Sequence, residues 1–162
     1  MSNGKQHEPR TVLFLCTGNS CRSQIAEAWA RELLGDRVQA YSAGVEAHGL
    51  HPKAVRVMAE VGVDIARQRS QHVDEFRDLR PDLVVTVCDH AAEICPAFPG
   101  APRMLHRSFR DPARATGSED EILEVFRQVR DQIRDFVRDL PALLEDSPAA
   151  PGGEPGDAER PG

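Results

Sequence analysis

The feature that most constrains this chain is a short apolar run, Val12–Leu15, that ends on a cysteine and leads through a polar turn into a helical pattern. An apolar run without alternation reads as a strand buried on both faces. Beyond it, Cys16-Thr17-Gly18-Asn19-Ser20-Cys21-Arg22-Ser23 must carry the chain from strand to helix within a few residues. The helix is expected from about Arg22, because Ile25, Ala26, Trp29, Ala30 and Leu33 share one face and Gly35 is a suitable stop.

The same alternation continues downstream. Val38–Ser42 reads as a second short strand, and Pro52 suits a first helical position ahead of a stripe of Ala54, Val55, Met58 and Ala59 that stops at Gly62. Leu83–Val87 and Met104–His106 read as further strands. A long amphipathic helix is predicted from about Glu119, with Ile122, Val125, Phe126, Val129, Ile133, Phe136, Val137 and Leu140 on its apolar face. Strands separated by helices imply parallel pairing and an α/β layer architecture. In such sheets, ligands bind outside the carboxyl ends of the strands. Cys16, Cys88 and the stretch after His106 all fall at such ends.

With 162 residues the chain has room for one core. The expected division is a mobile lead-in at 1–10, a single catalytic domain at 11–146, and a disordered Pro- and Gly-rich tail at 147–162. A formal charge of −6, with basic residues scattered among acidic ones, argues against nucleic acid as a partner. The N-terminus lacks the apolar segment of a secretory signal, and no run is long enough to span a membrane, so the expected compartment is the cytoplasm. Thiols stay reduced there. The four cysteines, Cys16, Cys21, Cys88 and Cys95, are therefore expected to be catalytic or metal-binding rather than structural.

The turn itself is built for an oxyanion. Successive backbone N–H groups can aim into such a curl, and the helix N-terminus adds partial positive charge. Gly18 and Asn19 are the residues expected to take the left-handed conformations it needs. Arg22 offers a planar fork suited to two oxygens of a tetrahedral anion. A cysteine in that field is expected to react as the thiolate, with the Ser23 hydroxyl within reach of its sulfur. Two blander readings compete. Cys16 and Cys21 are then small core residues beside a turn, or the four thiolates hold zinc, although their spacings are loose and no His pair completes a site. No metal is expected.

Cys-x5-Arg-Ser between strand and helix resembles the signature of the low-molecular-weight protein tyrosine phosphatases and of the arsenate reductases sharing their fold. The longer stretch CTGNSCRSQIAEA is more similar to the thioredoxin-coupled arsenate reductases, since the phosphatases more often have proline where Gln24 stands. The likeness runs from residue 11 to about 145. It implies a three-layer sandwich with a four-stranded parallel sheet flanked by helices, monomeric and without a cofactor. It also implies that Asp111, followed by Pro112, is the general acid that protonates the leaving oxygen. Proline independently restricts Asp111 to extended geometry. The phosphatases commonly carry tyrosine after that proline, where this chain has Ala113.

Cys88 and Cys95 bracket the helix-compatible segment DHAAEI. In a helix, seven residues at ~1.5 Å each separate them by about 10.5 Å. A disulfide requires Cα atoms within ~7 Å, so bonding would unwind Asp89–Ile94. The resemblance implies a relay. Cys16 attacks arsenate held by the loop and Arg22, and Asp111 protonates the departing hydroxide. Cys88 attacks the Cys16–arsenic adduct and releases arsenite, and Cys95 resolves the Cys16–Cys88 disulfide. Thioredoxin, or glutaredoxin in its place, then reduces Cys88–Cys95. Cys21 has no step. Two alternatives stay open: a tyrosine phosphatase working through a Cys16 phosphoenzyme, and a non-catalytic thiol sensor for trivalent arsenic or zinc.

Some members of the resembled family hold potassium behind the loop through side chains matching Asn19, Glu27 and Ser42. Their threonine and aspartate ligands fall at Arg69 and Gln71 here. The exchange predicts no potassium site, with Arg69 either reaching Glu27 or pointing into solvent.

Overall fold

The computed structural model describes residues 9–88, 98 and 103–145. Its strands are β1 (Arg10–Cys16), β2 (Val38–Gly44), β3 (Leu83–Thr86) and β4 (Met104–His106). They form one four-stranded parallel sheet in the order β2-β1-β3-β4. The helices are α1 (Arg22–Leu34), α2 (Pro52–Glu60), α3 (Glu119–Arg138) and α4 (Leu140–Glu145).

Alternate residues of β1 serve opposite faces of the sheet, as the pleat requires. Val12 and Phe14 join a large core with residues of α1, α2 and α3. Leu13 and Leu15 join a smaller one with Ala43, Val84, Tyr41, Val73, Phe76, Leu79 and Phe98. Among the described residues that second face is covered by the 3-10 turn Val73–Phe76 and its neighbours, not by an α-helix.

Chain order explains where a site can form. From β1 the chain moves to one side to make β2, then returns past β1 to make β3 on the other. The carboxyl ends of β1 and β3 therefore flank a topological switch point, where a crevice opens. Cys16 closes β1, paired with Gly44 of β2. Although β3 ends at Thr86, the Val87 N–H still bonds Leu15 O at 2.9 Å, which delivers Cys88 to the same end of the sheet.

Helix ends follow local chemistry. Ser118 and Glu121 form a reciprocal capping box that starts α3. Gly35 at φ 51° and Gly62 at φ 83° stop α1 and α2 as expected. The apolar faces differ from the sequence reading in three places. In α1, Leu34 is buried and Leu33 is 37% exposed. In α2 the buried stripe is Ala54, Val57 and Met58, with Ala59 exposed. In α3, Leu123 is buried in place of the half-exposed Ile122 and Val125, and Arg130 is buried as well. Arg130 Nη1 donates to Val57 O at 2.9 Å and pairs with Glu60 at 3.1 Å, tying α3 to α2. No helix among the described residues is long and apolar enough to cross a membrane.

Candidate active site

The loop from Cys16 to Arg22 is held by its carbonyls. Thr17 O accepts from Glu46 N–H at 3.0 Å, Gly18 O from His48 N–H at 3.0 Å, and Ser20 O from His51 N–H at 3.1 Å. Asn19 O accepts from the Ser70 hydroxyl at 2.9 Å and the Gln24 carboxamide at 3.0 Å. In a planar trans peptide the N–H points opposite to the carbonyl before it. Carbonyls taken from outside thus turn the following N–H groups, those of Gly18, Asn19, Ser20 and Cys21, toward the inside of the curl. The nearby backbone is crowded enough that a Cβ on Gly44 would lie 2.6 Å from Thr17 O and 2.8 Å from Asn19 N. Sequence reasoning missed Gly44, although a glycine at the predicted end of a strand was a signal.

Asn19 adopts the left-handed conformation, at φ 50°, as expected. Gly18 does not have a positive φ, which corrects the expectation for it. Space is short there as well: the half-exposed His48 ring occupies the position a Cβ would take, with His48 Cγ only 3.0 Å away, so a side chain would have to displace that ring.

The direction of the hydrogen bonds at the sulfur follows from backbone groups whose roles are fixed. Gln71 N–H points at Asn19 Oδ1 at 2.6 Å, so that atom is an acceptor and the other end of the carboxamide is the donor. Asn19 Nδ2 donates to Ser23 Oγ at 2.8 Å. The Ser23 hydroxyl hydrogen is then left for Cys16 Sγ, 2.9 Å away. The sulfur is therefore the acceptor of that bond.

Arg22 is the first residue of α1 and is 3% exposed. Its Nη1 donates to Phe109 O at 3.3 Å, and its Nη2 lies 3.5 Å from Asp111 Oδ2. Asp111 itself is extended, at φ −80° and ψ 106°, and caps a 3-10 turn by accepting from Ala113 N–H at 3.0 Å. The loop, Arg22 and Asp111 enclose a cavity of about 200 Å³, lined also by His48, Ala113 and Arg114. Nothing in the sequence had singled out His48. Nor had it singled out His51, which caps α2 and packs at a tilt against Phe126, ring centroids 4.9 Å apart. Burial, with Lys53 nearby, lowers the His51 pKa, which keeps the imidazole neutral.

The cysteines divide by environment. Burial pushes the Cys21 thiol up to about 12, more than the Ser20 hydroxyl can offset, so Cys21 stays protonated and unreactive. Cys16 and Cys21 are free thiols, whereas Cys88, fully buried, is disulfide-bonded. Cys95 and the segment Asp89–Ile94 lie outside the described residues.

The side chains matching the potassium ligands do not fit a cation. Asn19 Oδ1 is occupied by the Gln71 N–H and by Gln24 Nε2 at 3.1 Å. Glu27 accepts the Ser42 hydroxyl at 2.5 Å and pairs with Arg31 at 2.5 Å. Of the two alternatives for Arg69, it is the exposed one that is seen: Arg69 is 70% exposed and faces Glu75 at 3.7 Å, while Arg31, one helical turn from Glu27, pairs with that carboxylate. Among the described residues no cluster of three or more His, Cys, Asp or Glu side chains could hold a metal.

Comparison with known proteins agrees with this geometry. The family model for low molecular weight phosphotyrosine protein phosphatase matches residues 11–149. An arsenate reductase of Halalkalibacterium halodurans is 52% identical over 124 residues, covering 76% of this chain and 89% of the relative. The chain belongs to the arsenate reductases of the low-molecular-weight phosphotyrosine protein phosphatase family. Among solved structures, an arsenate reductase in the phosphate-binding state superposes with a TM-score of 0.67 at 32% identity, covering 83% of this chain and 98% of that one. A thioredoxin-dependent arsenate reductase of Corynebacterium glutamicum superposes at 0.62 with 27% identity, covering 89% of this chain and 66% of that one.

Proposed function

We propose that this chain reduces arsenate to arsenite by a thiol relay, with thioredoxin as electron donor and the cytoplasm as its compartment. Arsenate binds in the loop against the inward N–H groups and the Arg22 fork. The Cys16 thiolate attacks arsenic, one As–O bond breaks, and Asp111 delivers the proton that lets the oxygen leave as water. Cys88 thiolate then attacks the Cys16 sulfur. The S–As bond breaks with its electron pair on arsenic, which leaves as arsenite, and a Cys16–Cys88 disulfide remains. Cys95 attacks Cys88, freeing Cys16, and an external dithiol reduces the Cys88–Cys95 bond.

The observation that carries this reading is the division of the cysteines. A free Cys16 accepts a hydrogen bond at the floor of an anion cavity. On the neighbouring strand end, Cys88 is already disulfide-bonded. That distribution is the one expected at the end of the relay. Among the described residues the cavity wall has no benzene ring to grip a phosphotyrosine, and His48 and Ala113 belong to its lining.

The test is arsenate-dependent oxidation of NADPH with thioredoxin and its reductase supplied, run beside hydrolysis of p-nitrophenyl phosphate. Turnover with arsenate, lost in Cys16→Ser, is the expected result. Brisk phosphate ester hydrolysis with no arsenate-dependent turnover would make the chain a phosphatase instead. Glutaredoxin substituted for thioredoxin identifies the reductant.

A further inference from the structure

We propose that Gln24 is a positioning residue, whose buried carboxamide holds Asn19 so that Asn19 turns the Ser23 hydroxyl hydrogen onto the Cys16 sulfur. The proposal rests on Cys16 being the nucleophile.

Gln24 is fully buried, two residues into α1, on the side of the loop away from the anion cavity. A buried carboxamide is costly unless its donors and acceptor are all met. Here its Nε2 faces three oxygens: Asn19 O at 3.0 Å, Asn19 Oδ1 at 3.1 Å and Arg69 O at 2.9 Å. Two of these are main-chain carbonyls, which only accept, so the orientation of the amide is fixed. Its Oε1 accepts from Gln68 Nε2 at 2.6 Å, and Gln68 stands at the wall of a second cavity of about 450 Å³ behind the loop.

The bonds run one way. Gln68 donates to Gln24, Gln24 to Asn19, Asn19 to Ser23, and Ser23 to the sulfur. Donors aligned head to tail polarise one another, which strengthens the last bond most when the acceptor is charged. Gln24 also has a conformational task. Asn19 is held at φ 50°, a region that side-chain-bearing residues seldom occupy. The Gln24 N–H groups grip both its carbonyl and its side-chain oxygen, so backbone twist and amide direction are set together.

A merely structural Gln24 predicts lower stability and nothing more. A positioning Gln24 predicts a change at the sulfur that depends on Ser23. The experiment follows alkylation of Cys16 by iodoacetamide against pH in the full chain, with the modified cysteine identified by peptide mass. In Gln24→Leu the midpoint moves upward by roughly half to one pH unit, a fraction of the worth of a full charge-assisted hydrogen bond. In a Ser23→Ala background the same substitution leaves the midpoint where Ser23→Ala alone sets it. An unmoved midpoint in Gln24→Leu, or an equal shift in both backgrounds, overturns the proposal. Failure of Cys16 to alkylate at any pH would instead count against its role as nucleophile. Should Gln24→Leu not fold, Gln68→Ala removes the outer donor from a half-exposed position, and its smaller shift must vanish in Ser23→Ala by the same logic.

Discussion

Asp111 Oδ2 and Arg22 Nη2 stand 3.5 Å apart at the mouth of the loop, the arginine side chain 3% exposed and the carboxylate 22%. One guanidinium thus faces both the proposed proton donor and the proposed anion site. An incoming oxyanion competes with Asp111 for that fork and brings negative charge up to the carboxyl.

Asp111→Asn should therefore lower kcat for arsenate reduction by about 10²–10⁴-fold, the usual contribution of a general acid. Binding of phosphate should be unchanged or tighter, because a neutral amide competes less for Arg22. Steady-state kinetics and a phosphate titration measure the two separately. A drop in phosphate affinity with kcat preserved would show that Asp111 only orients Arg22.

Cys95→Ser should arrest the relay after one turnover, with Cys16 and Cys88 joined. Wild-type protein oxidised by arsenate should instead carry a Cys88–Cys95 bond. Peptide mapping under non-reducing conditions distinguishes them. A Cys16–Cys21 bond in either sample would refute the relay. It is not expected, because burial holds the Cys21 thiol at about 12 and the thiolate is the attacking species.

Much of this site was legible in the sequence because its parts are local. An apolar strand, a turn and a helical stripe lie within Val12–Gly35, and their order fixes which end of the sheet Cys16 occupies. Pro112 made the extended geometry of Asp111 legible in the same way. What stayed hidden depends on packing between distant segments. Leu33 and Leu34 are adjacent in sequence, and only the angle at which α1 meets α3 decides which is buried. Gly18 looked like a conformational glycine, yet its φ is not positive and what lies against it is the His48 ring, thirty residues later. Whether Arg69 reached Glu27 or solvent stayed open in the sequence, and the structure pairs Glu27 with Arg31 from within the same helix instead.

Glu27 gives a pH signature. Burial raises its pKa above the ordinary 4.5, outweighing the Ser42 hydroxyl and Arg31, both of which act to lower it. The folded state then binds this proton more tightly than the unfolded chain does. Its contribution to stability is complete below about pH 4.5 and is lost as pH rises through the elevated folded value. Glu27→Gln cannot titrate and keeps an acceptor for Ser42. It loses a pairing with an arginine that is 56% exposed, worth no more than about 1 kcal/mol. Urea unfolding at pH 4 and pH 7 should show the variant gaining on the wild type between the two. A wild type that gains on the variant as pH rises would mean that Glu27 is stabilised as the carboxylate.

Replacing potassium by sodium at constant ionic strength should leave the Michaelis constant for arsenate unchanged. Oxygens that would surround a cation behind the loop already accept from N–H and O–H donors, at Asn19 from Gln71 and Gln24 and at Glu27 from Ser42. The Arg31 guanidinium, 2.5 Å from Glu27, supplies the positive charge there. A second cation ~4 Å from it would be repelled by about 4 kcal/mol at an intermediate dielectric. A several-fold rise in the Michaelis constant on removing potassium would refute the claim. If the rise appears only in Arg31→Gln, the guanidinium is what stands in for the ion, since that exchange removes its charge and leaves the Asn19 contacts in place.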